Sequence, residues 1–138
     1  MALVASMRQS PGDPRRRLRR NGTQVLRPET AALMARNAIG ELNVRRLVTA
    51  NPASSNNAEF FPGTVKKWGL GFMISTEAVP GGRSAGSLNW AGLGNTYFWI
   101  DPARGVAGVI LTQLLPFADP PALKLLDDFE RAVYAGLA

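Results

Sequence analysis

Between Ser84 and Gln113 the chain reads SAGSLNWAGLGNTYFWIDPARGVAGVILTQ, three short strand-like runs divided by strong turn signals. Ser84 to Gly92 is small and polar and ends in Trp90-Ala91-Gly92. Asn95 to Ile100 alternates, with Thr96, Phe98 and Ile100 on one face and Tyr97 and Trp99 on the other. Val106 to Gln113 is β-branched and aliphatic, as a mostly buried strand should be. The last two runs are joined by Asp101-Pro102-Ala103-Arg104-Gly105. Pro102 presets φ for a type I turn, Asp101 can bond back to the backbone, and Gly105 accepts positive φ. A loop of this length with a closing glycine connects antiparallel neighbours, so the stretch predicts an antiparallel β-meander.

Around that meander the remaining elements are few. Pro28 to Ile39 reads as a short helix, with Pro28 at its first position, Glu29 near the positive end and Gly40 as its stop. Glu41 to Gly63 is loop-like, broken by Asn51-Pro52 and by Ser54-Ser55-Asn56-Asn57. Phe60 and Phe61 are expected to anchor that loop rather than to line a pocket. Trp68 to Ser75 alternates as a strand, with Leu70, Phe72 and Ile74 on one face. Val79 to Arg83 is the turn into the meander. Asp119 is a good N-cap with Pro120 in the first turn of a C-terminal helix. There Ala122, Leu126, Phe129, Val133 and Leu137 recur as one apolar stripe, and Lys124, Asp127, Asp128, Glu130 and Arg131 are expected on a solvated face. Together these elements predict an α+β fold, an antiparallel sheet of three to four strands packed by the C-terminal helix.

Composition removes several chemistries. The 138 residues contain no histidine and no cysteine. A Ser-His-Asp triad, a thiolate nucleophile, a disulfide and a histidine-held metal are therefore excluded, and neither metal nor cofactor is expected. No apolar run reaches the roughly 18 residues that a membrane span needs. Residues 1–7 are too short for a signal-peptide core, which favours the cytoplasm. The formal charge of +6 is unevenly placed. Seven arginines fall within residues 1–27 against one acid, Asp13, and the basic and acidic side chains beyond are equal in number. Gln9 to Arg20, QSPGDPRRRLRR, has no apolar periodicity, so residues 1–24 are expected to be a disordered Arg/Pro-rich leader before a domain at 25–138. Such a leader could bind nucleic acid or an anionic surface, but no aromatic side chain is interleaved for base stacking.

The order Trp90-Ala91-Gly92, Gly94-Asn95-Thr96-Tyr97-Phe98-Trp99-Ile100-Asp101-Pro102 and Leu111-Thr112-Gln113 resembles the C-terminal part of serine hydrolases with the β-lactamase fold. The likeness is to carboxylesterases related to class C β-lactamases and penicillin-binding proteins. Leu26-Arg27-Pro28-Glu29-Thr30 and Trp68-Gly69-Leu70-Gly71-Phe72 are similar to that family as well, and the resemblance runs from about Val25 onward. It implies that Trp90, Ala91 and Gly92 stand where the lactamases carry Lys-Thr-Gly, and that the Leu93 N–H supplies one oxyanion donor. Trp90 in place of a cationic lysine implies neutral ester substrates rather than β-lactams. The family's Ser-x-x-Lys does not occur in this sequence, and neither Tyr97 nor Tyr134 stands in its Tyr-x-Asn or Tyr-x-Ser motif. Thr64-Val65-Lys66-Lys67 mimics the first motif only superficially, since a strand follows where a helical turn is needed. A chain of this composition is therefore expected to be inactive alone. It is expected to work with a chain carrying the missing half, to self-associate through an uncovered sheet face, or to serve as an interaction module. Ala2 to Ser6 and Asn21-Gly22 resemble the two ends of a helical segment of that family, whereas the arginine-rich stretch between them does not, which points to a shifted reading frame or a misassigned start.

Overall fold

The computed structural model describes residues 3–8, 19–20, 23–24 and 26–137. Among the described residues eight strands and two helices follow one another: β1 Leu3–Arg8, β2 Arg19–Arg20, β3 Thr23–Gln24, α1 Pro28–Met34, β4 Lys66–Trp68, β5 Met73–Ser75, β6 Leu88–Gly92, β7 Thr96–Asp101, β8 Val106–Leu111 and α2 Pro120–Ala135. Six strands form one antiparallel sheet in the order β1-β8-β7-β6-β5-β4, and β2 pairs with β3. The meander is β6 to β8, in register Trp90↔Phe98↔Val109. The α+β class holds, but the sheet is wider than three to four strands for two reasons.

The first reason is that Trp68 to Ser75 is not one strand. It is a hairpin, with the Gly69 N–H donating to Phe72 O and Lys67 opposite Ile74. Gly71 takes φ +97°, a conformation open to glycine, and lets the chain reverse. Gly69 packs so tightly beneath α1 that a Cβ there would lie 2.2 Å from Met34 O. The second reason is that β1 joins the sheet at β8, pairing Leu3 with Leu111 through to Arg8 with Val106. Residues 3–8, expected to be part of an unstructured leader or the end of a helix, thus lie in an edge strand. The arginine-rich run at 9–18 lies outside the described residues.

Alternation on β7 decides which face is the core. Tyr97, Trp99 and Asp101 are buried, whereas Thr96, Phe98 and Ile100 are only half-buried. Helix α2 covers the first face: Phe129 meets the Trp99 ring edge-on at 5.3 Å between centroids, and Trp99 Nε1 donates to Tyr134 Oη at 3.2 Å. Gly108 makes room for that indole, since a Cβ there would stand 2.1 Å from it. The 41–63 loop reaches the same face, where the Phe60 ring packs on Tyr97, Phe117 and Trp90. On the other face Phe72, Phe98, Ile100 and Val109 remain half-buried and Leu111 is exposed.

Helix α2 starts where expected, with Asp119 Oδ2 accepting from the Ala122 N–H. Its exposed side carries the pairs Lys124–Asp128 and Arg131–Asp127. Glu130 departs from the expected solvated face. It is 4% exposed and paired with Arg83, itself 2% exposed. Glu130 Oε1 also accepts the Arg83 backbone N–H, so the carboxylate fastens the turn before β6 to the helix. Helix α1 is shorter than expected, ending at Met34 instead of Ile39.

Candidate functional site

Strand β6 positions the three motif residues. Its pairing with β5 stops at Met73↔Asn89, whereas its pairing with β7 continues through Gly92↔Thr96. Trp90, Ala91 and Gly92 thus project past β5 with one strand edge unpaired by that neighbour. The Trp90 indole closes edge-on against Trp68 at 4.5 Å and against Phe60 at 6.2 Å, and all three motif residues are half-buried.

Leu93 follows as the first residue of the turn. Its side chain is 59% exposed, and its N–H makes no hydrogen bond to any described residue. The turn closes by an Asn95 N–H donating to Gly92 O at 3.0 Å, which leaves the two intervening donors, the N–H groups of Leu93 and Gly94, without a partner among the described residues. Asn95 has φ 59° and is fully buried. A free N–H on a fixed turn at a strand end is the kind of donor that stabilises developing oxyanion charge.

Other sequence candidates resolve plainly. Lys67 Nζ donates to Gly40 O and Leu42 O, while Thr64 Oγ1 donates to Phe61 O, so the Thr64–Lys67 pair is not a nucleophile and its base. Phe60 is an anchor, as expected, and Phe61 lies under the Arg83 guanidinium at 4.8 Å.

A polar network at the opposite end of the sheet went unread in the sequence. Asp101 Oδ2 accepts from the Ser84 N–H and from Tyr134 Oη, both at 2.9 Å, and Oδ1 accepts from the Arg104 N–H. Burial opposes the Asp101 charge, but these donors outweigh it and hold its pKa below the ordinary carboxylate value. Burial and the Asp101 carboxylate push the Tyr134 phenol well above its ordinary value. An open depression of about 600 Å3 lies here, bordered by Gly82, Arg83, Ser84, Arg104, Arg131 and Tyr134. Its arginines are already engaged: Arg83 by Glu130, Arg131 by Asp127, and Arg104 over the Tyr134 ring at 5.5 Å. The one sequence signal for the network was the four-residue spacing Leu126, Glu130, Tyr134, which places a carboxylate and a phenol beside the apolar stripe.

Residues 4–131 match the beta-lactamase family. The chain belongs to that family. It is 32% identical over 123 residues to the monacolin J acid methylbutanoyltransferase of Aspergillus terreus, covering 86% of this chain and 30% of the relative. It is 29% identical over 116 residues to the ML-236A carboxylate methylbutanoyltransferase of Penicillium citrinum, covering 80% and 28%. Unliganded simvastatin synthase from Aspergillus terreus superposes with a TM-score of 0.64 at 25% identity, over 81% of this chain and 29% of that one. A beta-lactamase from Mycobacterium bovis shares the fold with a TM-score of 0.56 at 23% identity, over 83% and 39%. The chain therefore spans about 30% of the length of these curated relatives. Beta-lactamase-fold relatives thus include acyltransferases as well as hydrolases. Among the described residues no helix is long and apolar enough to cross a membrane.

Proposed function

We propose that this chain is the C-terminal portion of a beta-lactamase-fold acyl-transfer or ester-hydrolysing enzyme, bearing its oxyanion strand without its nucleophile. Trp90, Ala91 and Gly92 form the substrate-flanking strand, and the Leu93 N–H is one oxyanion donor. The observation that carries this reading is the unpartnered Leu93 N–H, set directly after the motif on a strand end that its neighbour leaves open. A neutral acyl ester suits the site, because Trp90 brings an apolar ring where a cation would select a carboxylate. The names of the relatives point the same way, since two are methylbutanoyltransferases.

Covalent acyl transfer needs an activated nucleophile, and Ser-x-x-Lys is absent from the sequence. These residues alone are inert by that mechanism, and the nucleophile and its lysine must be supplied from outside them. The half-buried face of Phe72, Phe98, Ile100 and Val109 is where the part that supplies them, or a second copy, would pack. Mixing with a separately produced nucleophile-bearing half of a family member tests the reading: p-nitrophenyl butyrate turnover should appear only in the mixture. Turnover by the nucleophile-bearing half that this chain does not increase would count against it.

A further inference from the structure

Asn95 makes more hydrogen bonds than a turn residue needs. A left-handed φ of 59° is satisfied by glycine, and asparagine tolerates it through its short polar side chain. Here the amide is fully buried and every polar atom is used. Nδ2 donates to Leu114 O at 3.0 Å and to Pro116 O at 2.8 Å. Oδ1 accepts from Tyr97 Oη at 2.7 Å and from the Asp119 N–H at 3.1 Å. The main chain adds a donor to Gly92 O and an acceptor for Thr112 Oγ1. Three of the four side-chain partners lie on the 114–119 segment, not on the turn. An aspartate would supply the acceptors but no donor for the two carbonyls, and glycine would supply neither. The neighbouring contacts run the same way, with the Leu114 N–H donating to Gly94 O and the Thr112 hydroxyl sharing its one hydrogen between Gly94 O and Asn95 O.

We infer that Asn95 is a positioning residue that locks the turn bearing the Leu93 N–H to the 114–119 loop, so that the two make one rigid wall for the acyl group of the substrate. The inference rests on the reading of Leu93 as oxyanion donor. Leu93, Leu114 and Leu115 are 59%, 52% and 61% exposed along this wall, an apolar surface suited to a short branched acyl chain. Asn95 touches no substrate itself. It acts through the backbone of Leu93 and of the loop.

Amide hydrogen exchange on the intact chain tests the coupling. The variants are Asn95→Gly, which keeps the φ, and Asn95→Asp, which keeps only the acceptors. Tyr134→Phe serves as a control that weakens the opposite end of the sheet. Both Asn95 variants should speed exchange at Leu114 and at Phe117, whose N–H bonds to Ser54 O and not to Asn95, by about tenfold more than at Trp99 and Ile110. Tyr134→Phe should show no such preference. Uniform acceleration, or loosening of residue 95 without Phe117, would overturn the coupling. In parallel, the thioester S-(2-methylbutanoyl)-N-acetylcysteamine is titrated against 15N-labelled chain. The wild-type Leu93 amide should shift saturably, and the shift should be lost in Asn95→Gly. Absence of any wild-type shift would overturn the acyl wall and the oxyanion reading together. A Leu93 shift that survives Asn95→Gly would leave the oxyanion reading standing and refute the role of Asn95.

Discussion

At the scale of single residues, the molecule depends on a few buried polar groups that hold one another. Arg83 and Glu130 form a bidentate pair, and Arg83 also lies over the rings of Phe61 and Trp99. Desolvating such a pair cancels much of its attraction, so removing one partner is worse than removing both. Arg83→Met or Glu130→Met alone is expected to cost about 3–5 kcal/mol in urea unfolding. The double variant should recover most of that loss. Asp101 and Tyr134 give the fold a stability profile with two limbs. The Asp101 pKa is lower folded than unfolded, so its contribution is complete above about pH 4 and fades as pH falls through the folded value. The phenols shift the other way, Tyr97 to about 12 and Tyr134 also upward, so their contribution is complete below about pH 10 and lost as pH rises. Thermal melts across pH should therefore show both limbs. Asp101→Asn should flatten the acid one, and Tyr134→Phe should make the alkaline one shallower.

At the scale of elements, the parts legible in the sequence were those with strong local signals. The meander was readable because Asp101 and Gly105 fix its second turn, where Asp101 Oδ1 accepts the Arg104 N–H and Gly105 sits at φ 66°. The start of α2 was readable from Asp119-Pro120. Asp119→Ala should lower stability by about 1 kcal/mol, the ordinary value of a lost cap, in the same urea titration. Trp68 to Ser75 was misread because alternation of Leu70, Phe72 and Ile74 runs through a turn, and the two glycines carried the contrary signal. Glu130 was misread because its partner lies 47 positions away, and a charge on a helix gives no local sign of a distant arginine. The Leu93 turn was legible as a motif, while Asn95 was not, since its meaning resides in a loop about 20 residues downstream. On β8, Gly108 lies directly against the Trp99 indole of the neighbouring strand. Gly108→Ala drives a methyl into the Trp99 ring and should cost about 1–3 kcal/mol, with the loss of Trp99–Phe129 contact visible in near-ultraviolet circular dichroism.

At the scale of the whole molecule, one sheet face is covered by α2 and the other leaves Phe72, Phe98, Ile100, Val109 and Leu111 at or near the surface. Contiguous apolar surface favours association at about 25 cal/mol per Å2 buried, before the entropy of association is subtracted. We propose that the isolated chain self-associates through this face. Sedimentation at micromolar concentration should show a dimer or larger species that Phe98→Lys with Val109→Lys disperses. A wild-type monomer that binds no hydrophobic dye would refute the proposal. We further propose that the chain carries the oxyanion strand of a beta-lactamase-family site and no nucleophile to work with it. Intact mass after incubation with a fluorophosphonate, run beside p-nitrophenyl butyrate turnover, tests it most directly. The expected result is an unmodified mass and no hydrolysis above buffer. A stoichiometric adduct on one serine, with saturable hydrolysis that the adduct abolishes, would contradict it.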